Sequence, residues 1–261
     1  MAKHSPIVIG NWKMNPESVE SALSIFRAVR EELEGVSGVD VVVCPSFVHL
    51  PPIARERGKA RKIGLGAQDV FYNQSGSFTG EVSVPMLKEI GVSHVILGHS
   101  ERRAMGESDE TVARKAVFVL KADLDAVVCV GEHERDEEGA YLKWLENQIN
   151  SSLEGVSGKY LGQLTIAYEP IWAIGAKEAM ESTAIHEMVV FIRRTLARKY
   201  GQRSALRPRI IYGGSVNADN IEGIMENGEV DGVLPGRASR EPRPFGRIVK
   251  AVKKIAAQRS K

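Results

Sequence analysis

The chain has 261 residues, 43% of them hydrophobic and 26% charged, with a formal net charge of +2. That composition supplies a large apolar core and excludes a disordered or low-complexity chain. Charges of both signs are interspersed, so nothing asks for a nucleic acid or an anionic membrane as partner, and no run approaches the roughly 20 apolar residues of a membrane span.

In chain order, short β-branched runs alternate with longer amphipathic ones. Ile7 to Gly10 is the first expected strand, and Pro16 and Glu17 open a helix to Glu34 with Val19, Leu23, Phe26 and Val29 down one side. Val39 to Val43 is the second strand, followed by a short helix over Leu50 to Arg57. Ile63 to Ala67 is the third; the long loop Gln68 to Glu81 then precedes a helix over Val84 to Ile90. His94 to Leu97, Ala126 to Val130, Leu164 to Tyr168, Arg209 to Tyr212 and Gly232 to Leu234 complete eight strands. Helices are expected over Thr111 to Ala122, Ala140 to Leu153, Thr183 to Tyr200, Asn220 to Met225 and Phe245 to Ala257. The helix from Ala140 carries Tyr141, Trp144, Leu145 and Ile149 on one side. Eight strand-helix units without a linker predict a single-domain α/β fold over residues 1–261, an eight-stranded parallel (β/α)8 barrel.

Cys44 and Cys129 each end an apolar strand-like run, and their spacing fits no metal motif, so both read as free, buried thiols. With no apolar leader at the N-terminus, a cytoplasmic protein is expected, and the sequons at Asn73 and Asn150 read as accidental. The acidic run Glu132 to Glu138 reads as a solvated loop. Gly64 and Gly66 lie inside a strand with no glycine-rich turn after them, so they are not a nucleotide fingerprint.

Polar chemistry gathers at one rim. Asn11, Lys13, Gln68, His99, Glu132, Glu169, Ser215 and Gly236 all fall just past the carboxyl ends of expected strands, the face on which such barrels build active sites. Glu169 stands out: an apolar strand delivers it immediately before Pro170, where a strand must stop. Ile171 and Trp172 and then the small run Ala173, Ile174 and Gly175 suit a loop with stiff ends and a movable tip. A carboxylate beside an apolar lid suggests a base working in a site closed to water.

The run Ala167 to Gly175, AYEPIWAIG, resembles the catalytic base and lid of the triosephosphate isomerase family letter for letter. Four further motifs agree in order: Asn11-Trp12-Lys13-Met14-Asn15, Gly98-His99-Ser100-Glu101-Arg102-Arg103, Cys129-Val130-Gly131-Glu132 and Tyr212-Gly213-Gly214-Ser215. The resemblance implies a TIM barrel and a cofactor-free isomerase of dihydroxyacetone phosphate and D-glyceraldehyde 3-phosphate, with no metal. It implies Glu169 as base, His99 as a neutral electrophile at a helix start, Lys13 as the cation between phosphate and oxyanion, and Glu101 beside the lysine and histidine. Asn11 is expected to donate to substrate oxygens, and the phosphate to be held by Gly175, Ser215, Gly236 and the amide of Arg237. The other histidines, His94 among them, are expected to be structural.

The pattern is broken in two places. Where the family carries glycine-threonine-glycine-lysine-threonine-alanine across the lid, this chain has Gly175-Ala176-Lys177-Glu178-Ala179-Met180. After the eighth strand, Leu234-Pro235-Gly236-Arg237-Ala238-Ser239-Arg240 puts arginine where the family has its second glycine and again where it has an apolar residue. The Arg237 side chain is expected either to reach solvent or to add charge to the phosphate pocket. The alternatives are a paralogous isomerase of another small sugar phosphate and a catalytically silent phosphate-binding barrel. The loop Gln68 to Glu81 resembles the segment that joins two subunits in this family, although Asp69 stands where asparagine is usual, so a homodimer is expected with Thr79 near the partner's lysine region.

Overall fold

Strands apolar on both faces cannot meet water on either, and here eight of them close on one another. The computed structural model describes residues 4–58, 62–173 and 180–259. Its strands are β1 (Ile7–Asn11), β2 (Asp40–Cys44), β3 (Gly64–Ala67), β4 (His94–Leu97), β5 (Asp125–Val130), β6 (Leu164–Tyr168), β7 (Arg209–Tyr212) and β8 (Gly232–Val233). Each pairs in parallel with the next, and β8 returns to β1, with Ile7 opposite Gly232 and Val8 opposite Val233. That closure requires glycine: a Cβ at position 232 would lie 1.9 Å from the Ile7 carbonyl oxygen.

The helices are α1 (Val19–Glu32), α2 (Leu50–Arg57), α3 (Val84–Glu89), α4 (Ser100–Ala104), α5 (Asp109–Lys121), α6 (Ala140–Ser152), α7 (Ser182–Tyr200), α8 (Ile221–Gly228) and α9 (Pro242–Gln258). Alternation along the strands divides the core. Ile7, Ile9, Val42, Cys44, Ile96, Val127, Cys129, Ala167, Ile211 and Leu234 fill the barrel interior, while Val8, Val43, Leu65, Val95, Val128 and Ile166 face the helical layer. Both cysteines are free and buried, and burial pushes both thiols up.

The expected elements are present, with shifted ends. α1 starts at Val19 because the Ser18 hydroxyl accepts the Ser21 amide at 3.1 Å, and α5 starts at Asp109 because Ser108 does the same for Thr111 at 3.3 Å. α9 begins with Pro242, which needs no donated N–H in a first helical turn. Two apolar residues assigned to buried faces are outside the core: Val19 is 44% exposed, and Trp144 is 40% exposed, packed edge-on against His133. Among the described residues no helix is long and apolar enough to cross a membrane.

Candidate active site

The carboxyl ends of β1, β4, β6, β7 and β8 open into a cavity of about 640 Å3 lined by Asn11, Lys13, His99, Glu169, Ser215, Gly236 and Arg237 together. Of the other two candidates, Glu101 touches this group from the side, and Gly175 lies outside the described residues, as do Lys177 and the rest of 174–179.

Lys13 is held in an uncommon backbone conformation. Its φ is +54°, the left-handed region that costs a residue with a Cβ about 1 kcal/mol or more. Three hydrogen bonds fix the peptides on either side: the Lys13 amide donates to Asn11 Oδ1 at 3.0 Å, and its carbonyl accepts Ser46 Oγ at 3.0 Å and Gln68 Nε2 at 2.8 Å. Asn11, 5% exposed, thus shapes the turn as well as facing the cavity. The lysine ammonium meets Glu101 Oε1 at 2.7 Å. Its Cε runs beside Gly236, where an added Cβ would sit 3.4 Å from it, so the cation lies against the loop after β8.

His99 precedes α4 and caps it: Nδ1 accepts the Glu101 amide at 3.2 Å. A ring nitrogen that accepts an N–H carries no proton, so the ring proton sits on Nε2. Nε2 points into the cavity, 3.6 Å from Glu169 Oε1. The second Glu101 oxygen is 3.7 Å from Nδ1, so one carboxylate stands beside both the lysine and the histidine.

Glu169 follows β6 directly, its amide donating to the Val130 carbonyl at 2.8 Å. It is only 2% exposed, and its Oε2 has no hydrogen-bond partner among the described residues. A buried carboxylate oxygen left without a donor is costly in a purely structural role. Its position depends on Gly213, where a Cβ would fall 2.7 Å from Glu169 Cγ and 3.0 Å from Oε1.

Tertiary structure gives specific contacts to residues that the sequence placed at the rim or in a loop without a role. Gln68 pins Lys13 and also donates to the Cys44 carbonyl at 2.8 Å. Glu132, read as the start of a solvated acidic loop, is 1% exposed. Its Oε1 accepts Arg135 Nε at 2.9 Å, the Tyr168 hydroxyl at 2.8 Å and Trp172 Nε1 at 3.1 Å. Burial and then the nearby Glu132 charge hold the Tyr168 hydroxyl protonated. This cluster fixes the entry to the segment after Glu169; the one cue in the sequence is a lone arginine among the acids. Asp69 is buried too, paired with Lys115 at 2.7 Å and Arg102 at 2.8 Å, while Glu107 shares Lys115. Burial raises the Asp69 carboxyl and Lys115 opposes it.

The cavity therefore combines a buried carboxylate with one oxygen unpartnered among the described residues, an N–H donor facing it, a lysine cation and the main chain of the loops after β7 and β8. Among the described residues no group of three or more His, Cys, Asp or Glu is arranged to hold a metal ion. Residues 6–252 match the family described as triosephosphate isomerase. The chain belongs to the triosephosphate isomerase family. It is 42% identical over 247 residues to the triosephosphate isomerase of Citrifermentans bemidjiense, covering 94% of this chain and 98% of the relative. The triosephosphate isomerase of Carboxydothermus hydrogenoformans is 43% identical with the same coverage. That of Caldanaerobacter subterraneus is 42% identical over 249 residues, again spanning 94% and 98%. Members of the triosephosphate isomerase family thus align with this chain from before β1 into α9, across every strand of the barrel.

Proposed function

We propose that this chain interconverts dihydroxyacetone phosphate and D-glyceraldehyde 3-phosphate, with Glu169 as the base. The observation that carries the reading is the buried, unpartnered Glu169 oxygen in the cavity that also holds His99 Nε2–H and Lys13. The Glu169 carboxylate removes a proton from C1 of the ketose, and the freed electron pair forms the C1–C2 double bond of an enediolate. His99 Nε2–H donates to its oxygens and the Lys13 ammonium stabilises the developing charge, in a cavity where both are worth more than in water. The protonated Glu169 returns its proton to C2 while the hydroxyl proton passes from O1 to O2, giving the aldose. Glu101 holds Lys13 in place. Ser215, Gly236, the Arg237 amide and Gly175 take the phosphate, and Asn11 donates to the substrate oxygens.

The test is turnover of the two triose phosphates in deuterated water, with Glu169→Gln assayed beside the parent. Rapid interconversion with solvent deuterium entering the carbon skeleton, lost in the variant, supports the reading; a folded protein without turnover removes it.

A homodimer belongs to the same proposal. Met14, Val48, Phe78 and Met105, each 42% to 93% exposed, follow the carboxyl ends of β1, β2, β3 and β4 in turn and give that side of the barrel an apolar character. The loop over 68–81 folds on itself through the Phe71 and Phe78 rings, 4.7 Å apart, and is anchored at its base by Asp69. Docking this loop against a second copy places Thr79 beside the partner's lysine turn. Sedimentation over a concentration series checks it: a fully active monomer rules the dimer out. A cytoplasmic setting accords with two free thiols, which a reducing compartment maintains.

A further inference from the structure

The cavity does not end at the phosphate-binding main chain. Its lining also includes Arg237, Arg240, Glu241 and Arg247. Residues Arg237–Arg240 form a 3-10 turn, a geometry with three residues per turn in which side chains at i and i+3 eclipse one another. Arg237 and Arg240 therefore leave the same edge of the turn.

Neither guanidinium is neutralised by a described residue. Among the described residues the Arg237 and Arg240 side chains make no ion pair within 4.0 Å and no hydrogen bond, although Glu241 lines the same cavity. Arg247 differs, meeting Asp219 at 3.3 Å. Arg240 is also partly buried, whereas the other partly buried arginines, such as Arg102, Arg103, Arg135, Arg193 and Arg209, all have partners. Two like charges on one edge of a cleft repel each other until an anion sits between them, and the planar guanidinium fork suits a phosphate.

We propose that the Arg237 and Arg240 side chains form a second phosphate subsite, contiguous with the first, that takes a short-chain bisphosphate as an inhibitor competing with the triose phosphate. One phosphate occupies the main-chain cradle and the other lies outward on Arg240, so the carbon chain runs away from Glu169 and is not turned over. The subsite rests on the triose phosphate reading for the cradle's occupant; Arg240 itself takes no part in that chemistry.

The test is titration calorimetry at low ionic strength with propyl phosphate and propane-1,3-diyl bisphosphate. Parent, Arg240→Leu and Arg240→Lys are compared, and triose phosphate turnover is measured on the same preparations. The bisphosphate is expected to bind the parent at least about tenfold more tightly than the monophosphate. Arg240→Leu should reduce that advantage to within about twofold, leaving monophosphate affinity and turnover unchanged, and Arg240→Lys should restore part of it. Equal affinities for the two probes in the parent, or an undiminished advantage in Arg240→Leu, overturn the subsite. A bisphosphate advantage in a protein that does not turn over triose phosphates supports the subsite and removes the catalytic reading instead.

Discussion

Strand β4 starts at one histidine and is followed, two residues past its end, by another, and both face a carboxylate at 3.6 Å: His94 Nε2 faces Asp125, and His99 Nε2 faces Glu169. What surrounds them differs. At the foot of the barrel, His94 Nδ1 shares a 2.9 Å hydrogen bond with Ser93 Oγ, and the nearby Arg209 is neutralised by Asp40 at 2.7 Å. The Asp125 side chain is 31% exposed, whereas that of Glu169 is 3% exposed with one oxygen unpartnered among the described residues. His99 and Glu169 share a cavity with a lysine, and neither His94 nor Asp125 lines that cavity. A histidine and a carboxylate at this distance therefore do not make a site. The distinguishing features are an unmet hydrogen-bonding demand and room for a ligand to meet it.

Removing each carboxylate breaks this comparison most strongly. Glu169→Gln is expected to lower kcat roughly 100- to 10,000-fold, the range for a positioned base, while Asp125→Asn leaves kcat within about twofold; steady-state triose phosphate turnover reads both. The histidines come next. His99→Gln is expected to cost roughly 100- to 1,000-fold in kcat, as for loss of one oxyanion donor, and His94→Gln to leave kcat unchanged while lowering the urea midpoint. Equal effects at the two positions would abolish the distinction. A smaller loss is expected from Gly213→Ala, whose methyl displaces the Glu169 side chain without removing it. Misplacement on the order of 1 Å can cost about 100-fold, so a kcat reduction of roughly 10- to 100-fold is expected with little change in stability.

The smallest effect concerns the foot alone and sharpens the comparison through pH. Burial pushes the Asp125 carboxyl up to about 6, with Arg209 opposing and Asp40 adding. Burial, helped by Arg209, pushes His94 down to about 4. Between pH 4 and 6 the folded protein holds more of the Asp125 proton than the unfolded chain does, so that contribution to stability falls as pH rises. His94 acts oppositely: there the unfolded chain binds the proton better, and stability rises with pH. The two nearly cancel. In His94→Asn the Asp125 slope stands alone, so stability relative to the parent should fall by about 1–2 kcal/mol from pH 4 to 6; Asp125→Asn should show the reverse. Urea unfolding at pH 4, 5 and 6 tests both signs, and parallel curves for all three proteins would contradict them.

Period and chemistry made much of this legible in the linear chain. Eight apolar runs alternating with amphipathic ones are a local property, because each strand and helix must bury its own face, so the barrel could be read without knowing any contact. Glu169, His99 and Lys13 could be placed at the rim because each follows a strand end, and in a parallel barrel all strand ends of one kind meet there; their separate roles were what the family resemblance implied. Helix starts were less legible, since a serine side chain three residues from an amide decides them, as at Ser18 and Ser108.

Long-range partners were not legible. That Glu132 is a buried acceptor for Tyr168 and Trp172, that Gln68 pins the Lys13 carbonyl, and that Asp69 lies between Lys115 and Arg102 depend on contacts across 33 to 55 positions. Arg237 and Arg240 were visible as letters, but their shared edge follows from the 3-10 turn, and their want of a counter-ion from where the neighbouring acids fold. The sequence by itself determined the barrel and which groups stand at its active rim, because hydrophobic period and strand order are written along the chain. Only the tertiary structure decided which charges are neutralised and which are left waiting, because an ion pair is a distance in space between residues that no local pattern relates.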